Sequence, residues 1–99
     1  MLFPAPVRKI YEKNAKDQVD IWKSDLELLH ARKKQFIKNY PNDDFDHILE
    51  ELFNKYMESK SIVDNMPTTS DQVWDTVKQG YEEVWCQAAP KFYKIKSRL

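Results

Sequence analysis

Glycine is almost missing from this chain: Gly80 stands alone in 99 residues, where average usage of roughly 7% would give about seven. That leaves no material for phosphate-cradling loops, tight hairpins or bulges, and excludes nucleotide folds built on glycine-rich turns. Cysteine is as scarce. Cys86 is the single cysteine, so no intramolecular disulfide can form, and one thiol with two histidines cannot complete a four-ligand zinc site without carboxylates. A reducing, cytoplasmic compartment is the expectation. Net charge is also lacking, since sixteen Lys and Arg balance sixteen Asp and Glu, which argues against a basic nucleic-acid binder or an acidic mimic of one. No stretch approaches the ~18 uninterrupted apolar residues of a membrane span, and Met1, Leu2 and Phe3 reach Pro4 before the apolar core of a signal peptide accumulates.

What is present is a foldable, helix-forming composition. Hydrophobic residues make up 41% and aromatics 13%, more than a disordered segment carries, and the length suits one domain spanning residues 1–99. Pro4 and Pro6 precede a run from Val7 to Tyr40 free of Gly and Pro, and prolines are tolerated at or before a first helical turn. At 100° per residue, Val7, Tyr11, Ala15, Val19, Trp22, Leu26, Leu29, Phe36, Ile37 and Tyr40 share one broad face. A single helix of that length would extend about 50 Å at 1.5 Å per residue, so a break near Asn14 to Asp17 is expected.

Tyr40-Pro41-Asn42-Asp43-Asp44 forms a turn in which Asn42 or Asp43 can cap the next helix. The second helical face carries Phe45, Ile48, Leu49, Leu52, Phe53, Tyr56, Ile62, Val63 and Met66 before Pro67 stops it. Thr69 and Gln72 have the spacing of a capping box that opens a third helix. Its face holds Val73, Trp74, Val77, Tyr81, Val84, Trp85 and Ala88, with Gly80 admitting a close neighbour. Pro90 should interrupt it, while Phe92, Ile95 and Leu99 continue in phase beyond. The predicted fold is all-α, a small antiparallel helical bundle of three main helices, about 7–39, 43–64 and 70–88, with a short C-terminal fourth helix after Pro90.

Charge is unevenly distributed. Residues 1–40 carry nine basic and five acidic side chains, residues 41–66 two and seven, and residues 67–99 five and four. The first two helices are therefore complementary, and Asp43, Asp44, Asp46, Glu50 and Glu51 offer an acidic surface able to steer a basic partner.

No catalytic constellation emerges. His47 lies one turn from Asp44 and from Glu51, a spacing at which a divalent metal can be held, but one imidazole on a polar helical face reads more simply as solvated surface. His30 has no carboxylate or thiol partner in sequence. Cys86 falls opposite Val77 and Ala88 and lacks a neighbouring base to activate it. Glu50 and Glu51, like Glu82 and Glu83, point in successive directions around a helix. Two basic clusters, Arg32, Lys33, Lys34 and Lys38, and Lys91, Lys94, Lys96 and Arg98 with Phe92 and Tyr93 between, set out a nucleic-acid-binding alternative. A metal-dependent activity around His47 is a second alternative.

The first helix carries one irregularity. Asn14, Gln18, Asp25 and Arg32 divide its apolar arc, and Ile10, Ile21 and Leu28 lie beyond this polar seam. Either Asp25 and Arg32 join an internal network, or Ile10, Ile21 and Leu28 face another protein with the seam at the boundary. Trp74 and Trp85, toward the edge of the third helical face, add candidate anchors. The functional expectation is a non-catalytic interaction module without cofactor or metal, such as an inhibitor, an immunity-type protein or an accessory subunit. Its partner is another protein of basic character, with self-association left open.

Overall fold

The structure, a computed structural model, describes residues 5–98. Four α-helices follow one another: α1 (Ala5–Ala31), α2 (Lys33–Asn39), α3 (Phe45–Asn65) and α4 (Trp74–Lys96), with a 3₁₀ turn over Met66–Thr68. No strand occurs among the described residues, and no helix there is long and apolar enough to cross a membrane. The all-α bundle is as expected; its boundaries are not. Leu99, assigned to the last helical face, lies outside the described residues.

The break in the first helix falls at Arg32, not near Asn14 to Asp17. Arg32 leaves helical geometry at φ −102° and ψ 20°, while its N–H is shared between the carbonyls of Leu28 and Leu29. The cause is tertiary. The break lets Phe36 bury itself against Phe45 and Tyr40, with ring centroids 5.4 and 5.3 Å away. Val7, Ile37 and Val73, placed in the core by phasing, are exposed.

Asp44, rather than Asn42 or Asp43, caps α3 by accepting the His47 N–H at 3.1 Å. The capping box at Thr69 does not form. Thr69 turns its hydroxyl back to the Asn65 carbonyl, and α4 begins only at Trp74, after Val73 and without a side-chain cap. At its other end α4 runs through Pro90 to Lys96, so no separate short helix follows Pro90. Pro90 is exposed, as is Cys86, whose carbonyl loses its helical donor on the water side. Burial of Ala88, Ala89, Phe92 and Ile95 on the opposite side holds the segment helical. Gly80 admits no close neighbour, since a Cβ there would meet nothing within 4 Å.

Ala15, Val19, Trp22, Leu26 and Leu29 of α1, Leu52, Tyr56 and Val63 of α3, and Trp74, Tyr81 and Phe92 of α4 form one core. Contacts fix the helix directions. Arg8 near the start of α1 reaches Met66 beyond the end of α3, and Lys33 reaches Asp46 at the start of α3. Glu51 and Lys91 pair, as do Asp43 and Arg98, so α3 also runs opposite to α4. It follows that α1 and α4 are parallel, with Tyr11 beside Trp74, Trp22 beside Phe92 and Asp25 beside Lys96. Backbones of α1 and α4 approach less closely than either approaches α3. Rings fill the difference: Trp22 and Phe92 stack with centroids 5.0 Å apart and planes 1° from parallel. The bundle is a rod of 51 × 18 × 17 Å.

Each end is closed by an arginine. Arg8 lies with its guanidinium carbon 4.4 Å from the Trp74 ring centroid and donates to the carbonyls of Met66 and Thr69 and to Asp71. Arg98 lies 4.9 Å from the Tyr40 ring centroid and pairs with Asp43. Both tie a helix terminus to a loop between other helices.

Candidate interaction surface

Grooves lie between the helices. One, about 690 Å³, separates α1 from α3 and is lined by Leu26, Leu49, Phe53 and Tyr56 together with Lys23, Glu27, His30 and Glu50. A second, about 470 Å³, lies between α1 and α4, where Asn14 and Gln18 face Tyr81, Trp85 and Cys86. A third, about 280 Å³, lies between α3 and α4.

Ile10, Ile21 and Leu28 are 61%, 50% and 39% exposed. Helical phasing sets all three within about 20° of one line on the outer flank of α1. The polar seam beside them is divided among separate environments. Asp25 is part-buried and faces Lys96 Nζ at 3.5 Å, Asn14 and Gln18 border the second groove, and Arg32 sits exposed at the α1–α2 break.

Trp74 leaves the set of surface candidates. It is only 2% exposed, covered by Arg8 and edge-on to Tyr11, because the late start of α4 turns it onto the core. Trp85 is half-buried and walls the α1–α4 groove. The acidic surface is largely committed within the chain: Asp43 binds Arg98, Asp44 caps α3, Asp46 binds Lys33 and Glu51 binds Lys91. Of those five acids, Glu50 alone has no ion pair or cap among the described residues.

The C-terminal basic cluster is largely occupied: Lys91, Lys96 and Arg98 face carboxylates, and Phe92, buried against Trp22, cannot stack on a base. In the cluster at the α1–α2 break and on α2, Lys33 binds Asp46. His47 is exposed, and no three His, Cys, Asp or Glu side chains come together around a common ion among the described residues. Cys86 is exposed and unpaired.

Two phenols are perturbed. Burial pushes the Tyr81 hydroxyl up to about 12. Burial, then a 3.0 Å hydrogen bond to Glu82, raises Tyr11 further. Both favour the neutral phenol, so neither is poised as a base near neutral pH.

Two surface residues escape the sequence reading. Phe53, placed on the core face, is 50% exposed, and Met57, one turn on, is 46% exposed. The available signal was adjacency: Phe53 follows Leu52, which points into the core, and neighbours on a helix diverge by 100°. Comparison of the chain with protein-family models, with curated proteins and with solved structures returns no match.

Proposed function

We propose that the protein is a non-catalytic interaction module, of the kind that serves as an inhibitor, an immunity-type protein or an accessory subunit, and that it docks onto another protein through the outer flank of α1. The observation that carries this reading is the exposed line of Ile10, Ile21 and Leu28. These residues lie outside a core already filled by Trp22, Leu29 and their neighbours. Burial of each such side chain is worth roughly 1.5–3 kcal/mol, and the chain forgoes that gain when alone. A basic partner loses its main support because Asp43, Asp44, Asp46 and Glu51 are engaged internally. An apolar complement, such as a helix or shallow groove, fits better. An unpaired exposed thiol at Cys86 suits a cytoplasmic setting.

The test is the double variant Ile10→Ser/Ile21→Ser. Its melting temperature is expected to stay within a few degrees of wild type, because surface changes rarely exceed about 0.5 kcal/mol. Affinity capture from the native host should lose whatever protein the wild type retains. A folded variant that retrieves the same partner equally well removes this surface from consideration, and a wild type that captures nothing overturns the module reading.

A further inference from the structure

The α1–α3 face carries a charge pattern that is complementary to itself. Along its α1 edge, Lys16, Asp20, Lys23 and Glu27 alternate in sign, and none of them forms an ion pair among the described residues. This is unusual in a chain where most other acids are paired or cap a helix. Reversed end to end, the series reads the same with the signs exchanged. An antiparallel copy of α1 therefore sets Lys16 opposite Glu27 and Asp20 opposite Lys23, each twice. The midpoint of the series lies between Ile21 and Trp22.

The α3 edge has the same property. Glu50, unpaired, stands as far before Lys55 as Lys60 stands after it, and Phe53 and Met57 flank Lys55 symmetrically. Reversal thus sets Phe53 against Met57 and brings Glu50 near Lys60, which within its own chain already pairs with Asp64 at 2.6 Å. Because α1 and α3 run in opposite directions and the groove brings Phe53 level with Lys23 and Glu27, the two midpoints lie at nearly the same height, within about one turn, or ~5 Å. One twofold axis can satisfy both edges.

We infer that the α1–α3 face binds a second copy of this chain in an antiparallel, twofold-symmetric dimer, centred on Phe53 and Met57 and held in register by the Lys16–Glu27 and Asp20–Lys23 pairs. Phe53 and Met57 supply the apolar centre, where sulfur–ring contact adds to burial. The charges, each worth little alone, choose the register and disfavour the parallel arrangement. The footprint spans about 17 Å of helix length at 1.5 Å per residue across a rod 18 Å wide. That is roughly 300 Å² a side, below the ~800 Å² of a standard specific interface, so the dimer is weak and forms only toward millimolar concentration. The Ile10–Leu28 line lies on a different flank of α1 and stays accessible, so this inference does not depend on the function proposed above.

Sedimentation equilibrium on the full chain, from micromolar to millimolar concentration, is the test. The wild type should pass from monomer to dimer and no further, because a twofold contact closes on itself. Lys16→Glu places like charges opposite Glu27 twice and should weaken association about tenfold. Lys16→Glu/Glu27→Lys restores the pairing and should return most of that loss. Phe53→Ser should leave a monomer with an unchanged helical circular dichroism spectrum. A wild type that is monomeric at millimolar concentration, a double variant no better than the single one, or assembly beyond a dimer would each overturn the inference. So would a monomeric chain that instead binds a basic amphipathic peptide helix through Phe53.

Discussion

Replacement of Arg8 by alanine is expected to be the most damaging single change near the surface of this protein. The guanidinium is mostly buried. It donates to the Met66 carbonyl at 2.8 Å, the Thr69 carbonyl at 2.5 Å, Asp71 at 2.7 Å and Glu12 at 3.1 Å, and it covers the Trp74 ring. The two carbonyls receive a charged donor away from bulk water, a class of bond worth about 1.5–3 kcal/mol. Cover of the indole adds about 0.5–1 kcal/mol. The contact with exposed Asp71 adds no more than the ~0.2–1 kcal/mol of a surface pair. These contributions share one side chain and are not additive, so a loss of about 2–4 kcal/mol is expected. For a domain of this size that lowers the melting temperature by roughly 10–25 °C. Arg8→Lys keeps the charge but cannot fork to two carbonyls while stacking, and should lose about half as much. Urea unfolding followed by far-ultraviolet circular dichroism and tryptophan fluorescence measures both variants. High salt should not reproduce the loss in the wild type, because the carbonyl bonds are not screened as ion pairs are. An Arg8→Ala melting temperature within about 2 °C of wild type would refute the reasoning and leave apolar packing alone to hold the α3–α4 connection.

Three further outcomes are expected. Gly80→Ala should stabilise by about 0.5–1 kcal/mol, since the site is helical and open around the added methyl; a loss in thermal melts would mean the site is tighter than its surroundings indicate. Ser59 Oγ is fully buried without a partner, so Ser59→Ala should raise stability by about 1 kcal/mol, and chemical denaturation showing a loss of that size would reveal a bond to the hydroxyl. Tyr81 ionises at about 12 in the folded chain against 10 when free, so the unfolded chain releases its proton first; stability is full below pH 10 and falls as pH rises toward 12. Melts across that window should decline less steeply for Tyr81→Phe.

The helices and most of the core were readable because burial follows a 3.6-residue period: Ala15, Val19, Trp22, Leu26, Leu29 and Phe36 are all inside. What local pattern could not supply was set by distant contacts. Nothing in the sequence around Arg32 marks a break, since Phe36 is drawn onto Phe45, nine residues away. Pro90 looks like a terminus until Phe92 is seen against Trp22. The candidate surface was half legible. Exposure of Ile10, Ile21 and Leu28 follows from their angle on α1, whereas the engagement of Asp43, Asp46 and Glu51 depends on which cations α2, α4 and the residues just after α4 bring near. Trp74 was misplaced for a related reason, because its cover, Arg8, lies 66 positions earlier.

The placement of α3 between two mutually parallel helices also orders the folding reaction. α1, α2 and α3 are neighbours in sequence and can close their hairpin through short loops, while every α1–α4 contact joins residues near opposite ends of the chain and pays a larger loop-closure entropy. The α1–α4 contact is thus the last to form and the first to open. Its loss uncovers Trp22 and Phe92 while the α1–α3 and α3–α4 pairs persist. Amide exchange should accordingly be slowest in α3, whose Leu52, Tyr56 and Val63 stay covered in the partly open state, and faster in α1 and α4.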